Sequence, residues 1–415
     1  MAVTYTLRYR TSDVGAGAGA WTAVTGLSGT SHAVDGLASG VRYDVEVVAV
    51  SDGGVESTPA SDGRWTVCAA PAQPITSAVL AETLDVGWTA VTGAASYRVE
   101  RTPTGGGDVT VVGTVTAPTT MLAVTGLAEE SGYDLTVRAV NADGDVSDAS
   151  PTRSATTTAL AAGGTVDTDG VAGYRIHTFT TATADPTFTL NAVRDVEYLV
   201  VAGGASGTRG TCSVLWGHGG GGGGVSTGTL AAATTGEYTV DVGVGGPGST
   251  TVTCSDDHEA ADGGDSALGR AGTPLVVATG GRGVPGRGSG ATSTGGASGT
   301  GAIDGVAYTA RAGGTGTGQY GAGGGGGAGS AAVGLAGGTG VTSSITGAPV
   351  VYGGGGAGRS SAGFGTPGDG AAVGETAAAA DRGGGGSDRL SGDDGYQGGA
   401  DGVVILRYRV APSSP

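Results

Sequence analysis

A chain with long stretches lacking side chains has few ways to fold, and glycine here is concentrated at one end. Of 90 glycines among 415 residues, 71 lie in residues 158–415. They include the uninterrupted runs Gly219–Gly224, Gly323–Gly327, Gly353–Gly356 and Gly383–Gly386. Glycine loses the most backbone entropy on ordering, so such runs ordinarily read as flexible linker. These runs are instead framed by apolar segments of strand character, Tyr198-Leu199-Val200-Val201 before them and Val403-Val404-Ile405-Leu406 after them. One linker has no need of several runs punctuated by apolar segments. The region is therefore expected to fold and to carry the function.

The rest of the chain points to an all-β protein. Val, Thr and Tyr alternate in short segments, only three Phe occur, and no long helical pattern is present. The net charge is −17 and every one of the 20 cations is arginine. That balance argues against a nucleic-acid partner, which needs clustered cations. No segment reaches the 18 or so apolar residues of a membrane span, so membrane insertion is not expected. The start, Met1-Ala2-Val3-Thr4-Tyr5-Thr6-Leu7-Arg8, lacks the apolar core of a secretory signal. An outward-facing protein without an export signal is most simply a virion component released on lysis. The alternative is a fragment whose signal has been removed.

Three domains are expected: 1–68, 69–157 and 158–415. Within 69–157, Pro71–Leu80, Leu84–Ala90, Ser96–Arg101, Val109–Val115, Met121–Val124 and Tyr133–Asn141 read as strands of a β-sandwich. Trp88, Tyr97 and the pair Leu127 and Tyr133 resemble the pattern of a fibronectin type III domain, with Tyr133 at the corner position. Residues 5–67 repeat the later part of that pattern. Tyr5 answers to Tyr97, Gly36-Leu37 to Gly126-Leu127, Tyr43-Asp44 to Tyr133-Asp134, and Ala49-Val50 to Ala139-Val140. The first two strands, with their tryptophan, have no counterpart. Truncation, completion by a partner chain and loose order are three open explanations. Ser154–Gly164 reads as linker.

Polyproline-II geometry gives glycine runs a way to order, with three residues per turn at about 3.1 Å rise and backbone groups that bond only to neighbours. A six-residue run would then span about 19 Å, so several short runs stacked side by side would make a compact block. Collagen is the competing ordered form, but its strict Gly-X-Y period is missing. The motif order is distinctive. It runs Glu197-Tyr198-Leu199-Val200-Val201-Ala202-Gly203-Gly204, then Gly219–Gly224, then Tyr238-Thr239-Val240-Asp241-Val242-Gly243-Val244-Gly245-Gly246. Gly263-Gly264-Asp265-Ser266-Ala267-Leu268-Gly269, Ala278-Thr279-Gly280-Gly281 and Asp401–Tyr408 follow. Together they resemble the glycine-rich domain of bacteriophage tail and minor tail proteins, over about residues 165–410. They are also similar to the glycine-rich module of some animal receptor tyrosine kinase ectodomains. The resemblance implies fibronectin type III sandwiches followed by β-strands that frame a polyglycine-II helix bundle. It further implies loops at the bundle's end that contact the host surface. Two polar inserts, 205–218 and 249–262, depart from the simplest form of the pattern.

The inserts hold Cys212, Trp216 and His218, then Cys254 and His258. A Cys212–Cys254 disulfide would stabilise by about 3–4 kcal/mol. Unpaired thiols are the alternative, and the spacings do not suit a common zinc motif. Acidic clusters at Asp256-Asp257…Asp262…Asp265 and Asp388…Asp393-Asp394…Asp401 read as solvated loops, since neither has EF-hand spacing. No metal and no cofactor are expected. No nucleophile motif or distinguishable carboxylate pair is present, so the protein is expected to be non-enzymatic.

Aromatic and arginine side chains among the glycines are the receptor-binding candidates: Trp216, Tyr320, Tyr352, Phe364 and Tyr396, with Arg209, Arg282, Arg287 and Arg359. Each is equally open to a role in covering the glycine block. The expected function is a phage tail-fibre or tail-tip protein that recognises a host cell-surface glycan or protein and contacts other tail proteins in the virion. Tail fibres are commonly homotrimers, which implies a trimer here. A virion decoration or connector without a receptor is the alternative, and a secreted carbohydrate-active protein is a third reading.

Overall fold

The computed structural model describes residues 3–12, 17–209, 217–249, 259–284, 294–316, 321–360, 363–371, 377–388 and 395–410. Among these residues every regular element is a strand. The chain divides into two compact units, Met1–Ala159 and Leu160–Pro415.

The first unit opens with β1 (Thr4–Thr11), β2 (Thr22–Leu27), β3 (Arg42–Val50) and β4 (Ala60–Trp65). They form one antiparallel sheet in the order β2-β1-β3-β4. The next strands are β5 (Ile75–Ser77), β6 (Thr83–Gly87), β7 (Ser96–Pro103), β8 (Thr110–Thr116), β9 (Met121–Thr125), β10 (Gly132–Val140) and β11 (Arg153–Thr156). These make two sheets, β5-β6-β9 and β11-β10-β7-β8, the sandwich expected for a fibronectin type III domain. Its core gathers Leu84, Val86, Trp88, Tyr97, Val99, Val124, Leu127, Leu135 and Val137. The alternation in β10 is complete: Tyr133, Leu135, Val137 and Ala139 are buried and the residues between them are not. Trp88 and Tyr97 lie 5.3 Å apart, ring to ring. The Tyr133 hydroxyl accepts the Ala128 N–H at 2.8 Å, which pins the corner. β5 is shorter than the expected Pro71–Leu80 strand, because Pro71 and Pro74 have no N–H to offer a ladder.

The second unit begins inside the stretch read as linker. Thr156 still belongs to β11, and β12 (Ala161–Ala162) already pairs with a strand of the second unit, so Ser154–Gly164 is largely structured. Then come β13 (Thr165–Asp167), β14 (Tyr174–Phe179), β15 (Thr187–Leu190), β16 (Arg194–Val201), β17 (Val225–Ala233), β18 (Gly236–Asp241), β19 (Ser266–Arg270) and β20 (Thr273–Ala278). Three short hairpins follow: β21 (Gly301–Ile303) with β22 (Val306–Tyr308), β23 (Val341–Ser343) with β24 (Val350–Tyr352), and β25 (Arg359–Ser360) with β26 (Gly363–Phe364). The chain closes on β27 (Val403–Arg409).

Two five-stranded sheets result, β12-β15-β18-β19-β20 and β13-β14-β27-β16-β17. The second is covered on both faces. Leu199, Val201, Val403 and Ile405 meet Ala328, Ile345 and Tyr352. The opposite face carries Tyr408 and His177, which reach the other sheet through the His177–Phe188 and Phe188–Tyr238 ring contacts. Burial on both faces explains why Tyr198–Val201 and Val403–Leu406 are continuously apolar rather than alternating.

Between these strands the chain repeatedly leaves the sheets and returns as glycine-rich segments, and here the bonding has a period of three. Ala202, Ala205 and Thr208 donate their N–H groups to Gly224, Gly221 and His218 at 2.8–3.0 Å. Gly203 and Ser206 donate to Gly264 and Ala261, and Gly204 and Gly207 donate to Ala400 and Gln397. The run Gly219–Gly224 behaves likewise. Gly219 and Gly222 donate to Gly323 and Gly326, Gly220 and Gly223 to Gly386 and Gly383, and Gly221 and Gly224 to Arg282 and Thr279. Its carbonyls accept from Gly296, Gly299, Gly356, Ala205 and Ala202. A Cβ on any of these six glycines would overlap a backbone carbonyl oxygen of a neighbouring segment. The run is therefore a packing requirement: neighbouring backbones approach too closely for a side chain.

Candidate functional site

Segments leave the sheets and return to them, and their described ends away from the sheets lie together at one end of the block. The last described rungs there are tied to one another. Thr208 donates to the His218 carbonyl, Arg359 to that of Gly217, and Ala322 to that of Arg359. Ser249 and Tyr396 exchange backbone bonds, and Asp388 bridges to Tyr396. The connecting segments 210–216, 250–258, 285–293, 317–320, 361–362 and 389–394 lie outside the described residues. Trp216, Tyr320, Arg287, Cys212, Cys254 and His258 fall in them, so nothing is described of these candidates or of the disulfide.

The described candidates divide by position. Arg209 is half-buried and adjoins the last rung at Thr208. Arg282 is exposed on the flank near the same end, where its guanidinium meets Asp262 at 2.7 Å. Phe364 and Tyr396 are half-buried there. Arg359 is different. Its side chain is buried, ion-paired to the buried Asp388 at 3.0 Å, and its guanidinium lies 5.1 Å from the centre of the Phe364 ring. It is built into the end of the block and is not displayed from it. Tyr352 corrects the sequence reading outright. It sits at the sheet end, 4 % exposed, in the core with Leu199, Val201 and Val225. A short Val-Val-Tyr strand turned inward places this ring in packing, where no receptor reaches it.

The described side chains next to this end are polar and buried. Thr208, His218, Ser387, Asp388, Arg359 and Gln397 are all buried. Burial pushes the His218 imidazole down to about 4, because desolvation penalises the charged form. The neutral ring is thus the form that fits the block at neutral pH.

Sequence reasoning missed the work of the carboxylates and serines. Asp262 accepts the Gly283 N–H at 2.7 Å, Asp265 accepts that of Gly280 at 2.8 Å, and Asp401 accepts that of Gly245 at 2.7 Å. Ser206 and Ser266 accept from Ala261 and Gly243, each at 2.8 Å. These side chains supply acceptors where the glycine segments run out of neighbours, so the described acidic residues are structural caps and not merely solvated loops. The spacing Gly-Gly-Asp at 263–265 was the available signal. The polar inserts shrink accordingly, since residues 205–208 and 259–262 still run in the block. Among the described residues, no group of three or more His, Cys, Asp or Glu is placed to hold a metal ion. Cys68 is a free thiol in the core of the first unit, its pKa raised by burial.

Comparisons with known proteins follow the same division. A family described as "Glycine-rich domain" matches residues 178–409, and one described as "Fibronectin type III domain" matches residues 69–156. Among solved structures, a two-domain fibronectin type III segment of chicken tenascin is similar at 25% identity and a TM-score of 0.25, covering 38% of this chain and 84% of that one. The FN1–FN3 domains of chicken CNTN1 are similar at 17% identity and a TM-score of 0.24, covering 38% of this chain and 55% of that one. The FN5 domain of Drosophila Lar is similar at 20% identity and a TM-score of 0.20, covering 22% and 99%. No match is found among curated proteins. The chain belongs to the glycine-rich domain family, with a fibronectin type III domain preceding the glycine-rich one.

Proposed function

We propose that the glycine-rich segments form a polyglycine-II bundle and that its far end is the recognition surface of a phage tail-fibre or tail-tip protein. The target is a host cell-surface glycan or protein, held by binding and not by catalysis. Support for the bundle comes from the bonding period of three, which polyglycine-II geometry demands, and from the run Gly219–Gly224, which exchanges bonds with six neighbouring segments. One observation supports the recognition reading: the described segment ends away from the sheets lie together, on rungs fixed by backbone bonds and by the buried Arg359–Asp388 pair. A rigid scaffold that presents several loops side by side suits recognition, because little ordering entropy is lost on binding. The fibronectin-type unit then serves as a spacer.

Binding of the purified chain to host cells, and its competition with phage adsorption, tests this reading. Arg282→Ala combined with Trp216→Ala should reduce cell binding at least tenfold while the thermal unfolding of the second unit stays within a few degrees of the parent. Intact binding by that variant, or a purified chain that neither binds cells nor competes, overturns the proposal. Labelling along the tail tube instead of at its tip would favour the connector role.

A further inference from the structure

One face of the sheet β13-β14-β27-β16-β17 turns polar where its apolar cover stops. Arg407, Glu197 and Thr229 stand side by side on β27, β16 and β17, with Glu197 opposing both of the others in register. Two residues along on the same face, Leu199 and Ile405 lie in the core with Ile345. Thr227 opposes Leu199 and carries the polar strip to the sheet edge. Two hairpins border this strip. The segment after β23 is held by Arg407, whose Nη1 donates to the Ser344 and Ile345 carbonyls at 3.3 and 2.9 Å. The turn between β21 and β22 is held by Thr227, whose hydroxyl accepts the Asp304 N–H at 3.1 Å. Together they enclose a cleft of about 320 Å³, whose lining includes Glu197, Thr229, Asp304, Thr342 and Ser343. That volume is in the range of small-molecule sites.

The chemistry of the lining narrows what the cleft can hold. Arg407 directs Nε and Nη2 to one carboxylate oxygen of Glu197, Oε2, at 2.9 and 2.6 Å, and both bonds leave out Oε1. The lining thus carries two carboxylates against one cation that is already paired, which disfavours a phosphate or nucleotide. An apolar ligand would meet hydroxyls and charges. An extended peptide needs an open sheet edge, but β21 lies along β17, with the Ala302 and Asp304 N–H groups on the Ser226 and Thr227 hydroxyls. Among the described residues no group of three or more His, Cys, Asp or Glu is placed to hold a metal ion. A ligand with several neighbouring hydroxyls fits all of these features. Its hydroxyls donate to carboxylates in charge-assisted bonds, while threonine and serine hydroxyls both donate and accept.

We propose that this cleft binds a saccharide unit, with Glu197 and Asp304 accepting from its hydroxyls and Thr229 and Thr342 completing the polar contacts. The site lies on the sheet, apart from the end of the block assigned to recognition, and does not depend on that assignment. It gives the second unit a second point of attachment to a glycan.

Saturation-transfer NMR of the full chain with the methyl glycosides of glucose, galactose, mannose and N-acetylglucosamine tests it. Saturable transfer to at least one of the four is expected. Asp304→Asn removes a charge while asparagine tolerates the left-handed φ of 49° at this position. Glu197→Gln keeps an acceptor for Arg407. Each should weaken binding at least tenfold and leave thermal unfolding of the second unit within a few degrees of the parent. Absence of transfer to all four glycosides, or transfer indifferent to both substitutions, would overturn the proposal. Glycoside binding lost in the Arg282→Ala, Trp216→Ala variant but kept in Asp304→Asn would also overturn it, by assigning the sugar to the recognition end. Calcium binding that is lost in Asp304→Asn, with no glycoside bound, would assign the cleft to a cation instead.

Discussion

Gly221 shows what a single residue decides here. Its N–H reaches the Arg282 carbonyl, its own carbonyl accepts from Ala205, and an added Cβ would overlap the Ala297 oxygen. Gly221→Ala should therefore destabilise the second unit by about 3 kcal/mol, at the upper end of overpacking costs. Gly305 is the control, since its φ of +77° lies in the left-handed region but nothing stands within 4 Å of its missing Cβ. Gly305→Ala should cost only about 1 kcal/mol, the local penalty alone. Equal effects of the two in thermal unfolding would contradict close packing of the run. His218 sets a pH dependence. Its folded pKa, about 4, lies below the ordinary 6.5, so the unfolded chain takes up the proton first. Its contribution is fully present above pH 6.5, declines as pH falls toward 4, and is gone below that. The loss is up to about 3 kcal/mol. His218→Gln should flatten that part of the stability profile, read by denaturant unfolding between pH 7 and pH 4.

Among elements, β27 binds the second unit together. It lies between β14 and β16 and pairs with both, joining residues near 175 and 200 to the end of the chain. Its residues Val403–Leu406 are buried on both faces. Removal of residues 403–410 should unfold the whole second unit and leave the first unit's transition in place. Circular dichroism melting would show one transition where the full chain shows two. The strands were the legible part of this molecule. Trp88, Tyr97 and Tyr133 announced the sandwich, and the apolar bookends Tyr198–Val201 and Val403–Leu406 proved to pair directly with each other, β27 being the central strand of its sheet. The partners of the glycine runs were not legible, because a residue without a side chain leaves no periodicity to read. Gly220 bonds to Gly386 across 166 residues, and nothing in either run names the other. The packing roles of Tyr352 and Arg359 were not legible for a related reason. Aromatic and charged residues among glycines look exposed until the fold supplies Leu199 and Val201 for one and Asp388 for the other.

At the scale of the whole molecule, the two units cohere by different means. The first is held by side chains meeting in a sandwich core. The second is held at its sheets by side chains and in its glycine-rich block by backbone hydrogen bonds, with Asp262, Asp265 and Asp401 capping segments that lack a neighbour. Composition alone cannot separate this second kind of order from a flexible linker, yet the two differ in one observable. Amide hydrogen exchange of Gly219–Gly224 is the most direct test. Every N–H in that run is bonded to a backbone carbonyl at 2.8–3.2 Å, so these amides should exchange as slowly as those of the central strands β16 and β27. Exchange of Gly219–Gly224 at the rate of an unstructured glycine peptide would contradict the ordered block, and with it the platform on which the proposed recognition rests.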